Sequence, residues 1–338
     1  MKKTICFDDV LLVPQFSAIK SRSEIDISSE LRPDALTLDV PIISSPMDTV
    51  TEHYMARAME DIGGLGVIHR YNSVKQQVAI VKKTRDIGTV HVAAAIGVGS
   101  AHLERATALY DAGVHILCVD IAHGHHILMK KMLSDLREIF GDAVHIMAGN
   151  VATLDAFNDL ADWGADSIRV GIGGGSICST RTQTGHGMPT LESIISCASS
   201  DRNAKLIADG GLRTSGDIVK ALAAGADFVM LGSMLAGHAE TPGDAIFVKG
   251  QKRKVYRGMA SKDAQIEWRG HTASIEGVSS TVPYRGGVAE KLYEIKTGIR
   301  SGLSYTGARD LREFRAKARF VEQTSSGTTE GLTHINLR

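Results

Sequence analysis

Short apolar runs recur along the chain, each followed by a polar or glycine-rich turn and then by a segment with helical spacing. The runs at 40–44 (VPIIS), 66–68 (GVI), 90–96 (VHVAAAI), 116–120 (ILCVD), 144–148 (VHIMA), 167–170 (SIRV), 206–209 (LIAD) and 228–231 (FVML) predict eight buried strands. Between them, Leu103, Ala106 and Tyr110 fall at i, i+3 and i+7, and Phe157, Leu160 and Ala161 at i, i+3 and i+4, as on the inner face of a helix. Gly113, Gly164 and Gly225 stand where such helices end and the next strand begins. Strands alternating with helices predict an α/β fold, a (β/α)8 TIM barrel rather than the alternative doubly wound sheet.

Polar and glycine residues cluster just after the predicted strands: 45–48, 69–70, 120–124, 149–150, 171–175, 209–211 and 232–233. In a barrel these turns share one mouth, the face where active sites are built. The rhythm breaks at 249–286, a long polar stretch that predicts a short flap over that mouth. Residues 73–85 run straight into the third strand, with no space for an inserted regulatory module, so a single domain over 1–338 is expected.

Composition narrows the function classes. Lys plus Arg and Asp plus Glu both number 38, so no electrostatic footprint for nucleic acid is present. The 35 glycines, about 10% of the chain with only 7 prolines, suit tight loops that approach a ligand closely. No run reaches the length of a membrane span and the N-terminus lacks a signal-peptide core. The four cysteines match no zinc spacing and no CxxC pair. A reduced, cytoplasmic protein is expected.

The segment 171–181 (GIGGGSICSTR) carries the most chemistry. Four glycines in five residues let backbone groups approach an oxyanion, a phosphate or a cation. Cys178 ends that loop, beside Thr180 and Arg181, where a cation or loop dipoles favour a thiolate. The turns Asp209-Gly210-Gly211 and Gly232-Ser233 follow the last two strands, the usual phosphate position of such barrels, with Asp209 suited to a sugar hydroxyl. The histidines of 120–126 (DIAHGHH) lack a nearby carboxylate to complete a metal site and fit a cofactor-lining loop better. On residue type alone Glu276 reads as a solvated carboxylate.

Read together, 7–12 (FDDVLL), 44–50 (SSPMDTV), 120–124, 148–150 (AGN), 171–181, 209–211, 256–259 (YRGM) and 301–307 resemble the IMP dehydrogenase and GMP reductase family in order and nearly end to end. The resemblance implies a tetrameric barrel in which Cys178 attacks purine C2 as a covalent nucleophile, with Thr180 and Glu276 handling the proton. It implies purine-nucleotide contacts, to GMP or IMP, at Ser45, Met47, Ser176, Asp209, Gly210, Gly211, Gly232, Ser233, Gly258, Met259 and Gly277. The phosphate would lie on Ser176, Gly211, Gly232 and Ser233, the ribose on Asp209. It implies a nicotinamide cofactor, NADPH or NAD, along Arg70, Asp120, Ile121, Ala122, Asn150, Gly171, Ile172 and Gly173. A monovalent cation, typically potassium, would be held at Gly173, Gly175, Cys178 and Arg181.

The family runs two reactions. Dehydrogenases oxidise IMP to XMP and activate water with an Arg-Tyr dyad on a long flap; reductases convert GMP to IMP and ammonia. Here 261–275 is short and holds no Arg-Tyr pair, and 236–240 (AGHAE) resembles the reductases. Segments 44–47, 283–286 and 301–307 resemble the dehydrogenases, Gly174 replaces the proline usual in the catalytic loop, and Arg269 is available as a stand-in for the dyad's arginine. The reading is a GMP reductase, with IMP dehydrogenase as the alternative.

Overall fold

The computed structural model describes residues 3–33 and 35–333. Eight parallel strands close on themselves: β1 (Ile42–Ser44), β2 (Leu65–Ile68), β3 (Ala93–Ile96), β4 (Ile116–Asp120), β5 (His145–Val151), β6 (Ser167–Val170), β7 (Lys205–Asp209) and β8 (Phe228–Leu231). Each pairs with its neighbour in sequence. β8 returns to β1 through Val229 opposite Ile42 and Leu231 opposite Ser44. Helices α1 (His53–Asp61), α2 (Val74–Asp86), α3 (Ser100–Asp111), α4 (Ile127–Phe140), α5 (Leu154–Asp162), α6 (Thr190–Cys197), α7 (Ser215–Ala223) and α8 (Ala289–Thr306) follow the strands in turn. The TIM barrel anticipated from the alternating runs is therefore the fold.

Strand alternation divides the apolar residues into two cores. Ile43, Leu65, Val67, Ala93, Ala95, Ile116, Cys118, Met147, Ile207, Phe228 and Met230 fill the barrel interior. Their neighbours, such as Ile42, Ala94, Leu117 and Val229, face the helices. Strands buried on both faces explain why these runs are continuously apolar. The interior is closed below by a hairpin of Ser29–Arg32 and Leu36–Leu38, whose Leu31, Leu36 and Leu38 join that core. This plug was not foreseen, because its short polar strands carry no strong period.

The third strand is shorter than expected. It begins at Ala93, because Val90 is 73% exposed and the amides of Val90 and His91 donate to the Glu60 carboxylate at 3.0 and 2.8 Å. Beyond β8 the rhythm yields to a three-stranded antiparallel sheet: β9 (Ile246–Val248), β10 (Gln251–Arg257) and β11 (Ser279–Pro283). A flap helix, Lys262–Arg269, lies between β10 and β11. The stretch expected to form a hairpin or flap over the mouth is thus an antiparallel sheet with a helix set between two of its strands. No helix among the described residues is long and apolar enough to cross a membrane.

Leu38 is 3% exposed in the plug. Leu38→Ala is expected to lower unfolding free energy by about 2–5 kcal/mol, measured by urea denaturation. A change within error would show that the hairpin does not seal the barrel.

Candidate active site

The turns at the carboxyl ends of the strands enclose one cavity of about 480 Å³, within the range of small-molecule sites. Its electrostatic floor is Arg169, an inward residue of β6 that is 6% exposed. Arg169 Nη1 donates to Asp120 Oδ1 at 2.6 Å, and Nη2 and Nε donate to Asp209 Oδ2 at 2.8 and 3.1 Å. A guanidinium spans two carboxylates from strands β4 and β7 because its planar fork offers donors in fixed directions. Gly149 makes room for it: a Cβ there would lie 2.6 Å from Arg169 Cβ. Burial alone would push the Asp120 carboxyl up, but Arg169 and Arg70 outweigh it and hold the group below its ordinary value.

The network extends on both sides. Asn150 Nδ2 donates to Asp209 Oδ2 at 2.8 Å and to the Gly171 carbonyl at 3.0 Å. These bonds all fall on Oδ2, so Oδ1 has no protein partner among the described residues. On the other side, Tyr71 OH donates to Asp120 Oδ2 at 3.1 Å and Arg70 Nη2 to the Asp120 carbonyl at 3.0 Å. The Arg70 guanidinium lies 4.8 Å from the Tyr71 ring centre and 5.8 Å from that of Trp268, and the two rings meet edge to face at 5.3 Å. Trp268 comes from the flap helix, so the flap is seated on this aromatic and cationic wall.

Cys178 is exposed to the cavity, with Sγ 3.2 Å from Thr180 Oγ1. The loop that carries it is pinned to the base of the flap. Ser179 N–H donates to the Glu276 carbonyl at 2.9 Å and Val278 N–H to the Ile177 carbonyl at 3.0 Å, with Cys178 opposite Gly277. Gly277 is buried, and a Cβ on it would meet the Ser261 amide at 3.0 Å. This pairing brings Glu276 into the lining of the cavity that Cys178 and Thr180 also line. Glu276 is half-buried and accepts a 3.0 Å bond from Ser274 Oγ, which corrects the reading of it as merely solvated.

Across the mouth, Ser176 Oγ and Tyr256 OH are 3.3 Å apart. A Cβ on Gly232 would meet Met47 Sδ and Tyr256 OH at 3.3 Å and Ser45 Oγ at 3.4 Å. Gly210 and Gly211 have φ of +92° and +79°, which leaves that turn to glycine. Ser176, Gly211, Gly232, Ser233 and Tyr256 therefore line one end of the cavity, where amides and hydroxyls suit a phosphate. The flap is tethered here as well. Arg257 Nε donates to Asp48 Oδ2 at 3.0 Å and its Nη1 lies 2.6 Å from Glu267 of the flap helix. Lys254, 3% exposed, donates to the carbonyls of His238 and Thr241.

Of the residues singled out in the sequence, every proposed catalytic, nucleotide and cofactor residue lines this cavity, as do Gly173, Gly175 and Cys178. Arg181 does not. Its guanidinium packs over Gly173 and Gly187 and donates to the Met188 carbonyl at 2.6 Å, so it is not the cation beside the thiol that the sequence suggested. Two of the three histidines of 120–126 are engaged elsewhere, and His123 meets His125 edge to face at 6.5 Å. His125 Nε2 lies 2.7 Å from Asp159 Oδ2, and His126 Nδ1 caps α4 by accepting the Leu128 amide at 3.1 Å. Among the described residues no group of His, Cys, Asp and Glu is placed to hold a metal. Sequence reasoning assigned no role to Arg169, Tyr71, Tyr256 and Trp268. Arg169 left a signal, a charge in the middle of a buried strand, and Tyr256 stood inside the 256–259 motif.

The family model described as "IMP dehydrogenase / GMP reductase domain" matches residues 4–334. The chain belongs to the IMP dehydrogenase and GMP reductase family. Its members are oxidoreductases that use a nicotinamide nucleotide. Human GMP reductase 2 is 39% identical over 94% of each chain. The inosine-5'-monophosphate dehydrogenase of Cryptosporidium parvum is 35% identical over 98% of this chain and 95% of its own. A solved GMP reductase from Trypanosoma brucei, a cysteine-to-alanine variant in complex with guanosine 5'-monophosphate, superposes with a TM-score of 0.93 at 30% identity over 99% of this chain and 98% of its own. Both activities of the family thus occur among close relatives of this chain.

Removing Arg169 would take the paired charge from two largely buried carboxylates, leaving Asp120 with Arg70 and Tyr71 and Asp209 with Asn150. Arg169→Gln is expected to cost about 3–5 kcal/mol near neutral pH. Asp120 is depressed in the folded protein, so its contribution is present above its unfolded value of roughly 3.9 and is lost as pH falls through the folded one. In the variant Asp120 loses its largest stabilising charge and takes up a proton more readily, so the penalty should shrink toward about pH 4. Urea denaturation across that range checks it; a penalty independent of pH would contradict the assignment.

Proposed function

We propose that this chain is a GMP reductase, which converts GMP to IMP and ammonia with NADPH as reductant. The observation that carries this reading is the composition of the cavity around Cys178. Between 261 and 275 the flap contributes Gln265, Trp268, Arg269, Ala273 and Ser274 to the cavity, and no tyrosine. The tyrosines that do line the cavity are both engaged: Tyr71 with Asp120, and Tyr256 with Ser176. Burial also pushes the Tyr256 phenol up, away from service as a base near neutral pH. Without a positioned base for water, hydrolysis of a covalent purine adduct loses about 10²–10⁴-fold.

The chemistry follows from the groups at hand. The Cys178 thiolate adds to C2 of the guanine, and the exocyclic amine leaves as ammonia after receiving a proton from the Thr180 and Glu276 side. The product is a thioimidate on sulfur, electrophilic at C2. Bound beside the purine, a dihydronicotinamide supplies hydride. After reduction at C2 the thiolate departs and IMP is released. Asp209, through its unpartnered Oδ1, accepts from the ribose hydroxyls, and the Ser176, Gly211, Gly232 and Ser233 end takes the phosphate.

The residues fit both absent groups. The Arg70, Tyr71 and Trp268 wall gives a nicotinamide nucleotide an aromatic and cationic surface continuous with Gly171–Gly173, and Trp268 Nε1 is buried there without a partner among the described residues. Carbonyls of Gly173, Gly175 and Cys178 are hard oxygen ligands suited to potassium. Arg181 would join them only through its backbone, since its guanidinium is bonded to Met188.

The alternative, IMP dehydrogenase, rests on Arg269, which lines the cavity with its guanidinium 4.2 Å from the Trp268 ring centre. One assay separates the two. With GMP, NADPH should be consumed with one ammonia released per turnover; XMP formed from IMP and NAD would establish the other reaction. Two variants test the roles. Cys178→Ala should abolish turnover while GMP still binds by calorimetry. Glu276→Gln should lower kcat by about 10²-fold or more with little change in GMP affinity; an unchanged kcat would remove Glu276 from the proton path.

A further inference from the structure

Thr190 opens α6 directly beneath the two glycine loops of the site. It is 4% exposed and wedged among three loop glycines. A Cβ on Gly174 would lie 2.4 Å from Thr190 Oγ1, one on Gly211 3.4 Å from the same oxygen, and one on Gly171 3.6 Å from Thr190 Cγ2. Real Cβ atoms do not approach another atom to 2.4 Å, so any larger residue at 174 forces the Thr190 hydroxyl to move. This gives a physical reason for the glycine that stands where the family resemblance expects proline. Thr190 Oγ1 is nevertheless buried without a hydrogen-bond partner among the described residues, and so is Ser193 Oγ on the same helix face. A buried hydroxyl left unpaired is costly, and such groups call for a partner supplied in another state.

We propose that Thr190 is a positioning residue for Cys178. Its side chain fills the space that only Gly174 leaves open. Its hydroxyl donates to a backbone carbonyl of the 171–175 loop when bound nucleotide draws that loop and the Gly210-Gly211 turn together. The catalytic loop and the phosphate turn are thereby coupled through one side chain that touches no substrate. The proposal rests on Cys178 being the reactive thiol of a nucleotide site, but not on which of the two reactions is catalysed.

The test is alkylation of Cys178 by iodoacetamide, followed by intact mass across pH, with and without GMP. Gly174→Ala should change the alkylation rate and its pH profile and weaken GMP protection by about tenfold or more. Adding Thr190→Ala to that variant should restore both to within about threefold of the wild type, since neighbouring changes that relieve one clash are non-additive. Thr190→Val keeps the shape but not the donor and should weaken GMP protection, whereas Thr190→Ser should retain it. This second pair still judges the proposal if Gly174→Ala does not fold. A Gly174→Ala variant indistinguishable from wild type, a double variant as impaired as the single one, or Val and Ser variants that behave alike would each overturn it. A wild-type Cys178 that GMP fails to protect would count instead against the nucleotide reading, and the ligand-free rates would still judge the pair.

Discussion

One guanidinium organises the mouth of this barrel. Arg169 reaches inward from β6 and is held by Asp120 from β4 and Asp209 from β7, all largely out of water. A buried charge persists only when it is paired and hydrogen-bonded, so the three residues fix one another, and with them the ends of three strands. Asn150 and Tyr71 extend the same network to the Gly171 carbonyl and to the flap-bearing wall. The carboxylate suited to a sugar and the carboxylate suited to the cofactor side are thus two ends of one ion-paired unit. Their separation is set by an arginine that need touch neither ligand.

The flap completes what this floor begins. It is joined to the catalytic loop by backbone pairing around Cys178 and Gly277, to the β1 turn by Arg257, and to the loop after β8 by Lys254. The thiol and the Glu276 carboxylate come from opposite sides of that pairing, so the flap supplies part of the chemistry rather than only shielding it. What it brings to the cavity is a carboxyl group, an amide, an indole and the Arg269 guanidinium. A cavity that holds a thiol and a carboxyl group, with no tyrosine from 261–275, is what supports the proposal of amine displacement over hydrolysis.

Much of this was legible in the sequence because barrels write their layers as repeated patterns. Strands such as 116–120, 167–170 and 228–231 were recovered to the residue, since burial on both faces leaves a continuous apolar run. The turn positions gave the site, because in this fold every loop after a strand opens on the same mouth. The catalytic and nucleotide residues then came from motif order rather than from spacing. What stayed hidden depends on long-range contact: the plugging hairpin, the Tyr71 and Trp268 pair from opposite ends of the chain, and the fate of Arg181. Arg181 follows Cys178 closely in sequence, but its side chain turns away to Met188. Glu276 could not be placed from its own surroundings, because only the pairing of 276–278 with 177–179 brings it to the cavity that holds the thiol.

On the proposed reading, a purine carried on Cys178 has no tyrosine-assisted base beside it to make water a nucleophile. Incubation with GMP and oxidised NADP in place of NADPH tests this most directly, with intact mass and nucleotide analysis on rapidly quenched samples. The account predicts a protein species heavier by GMP less ammonia, located on Cys178, that persists without release of XMP. Prompt appearance of XMP as the adduct decays would contradict it.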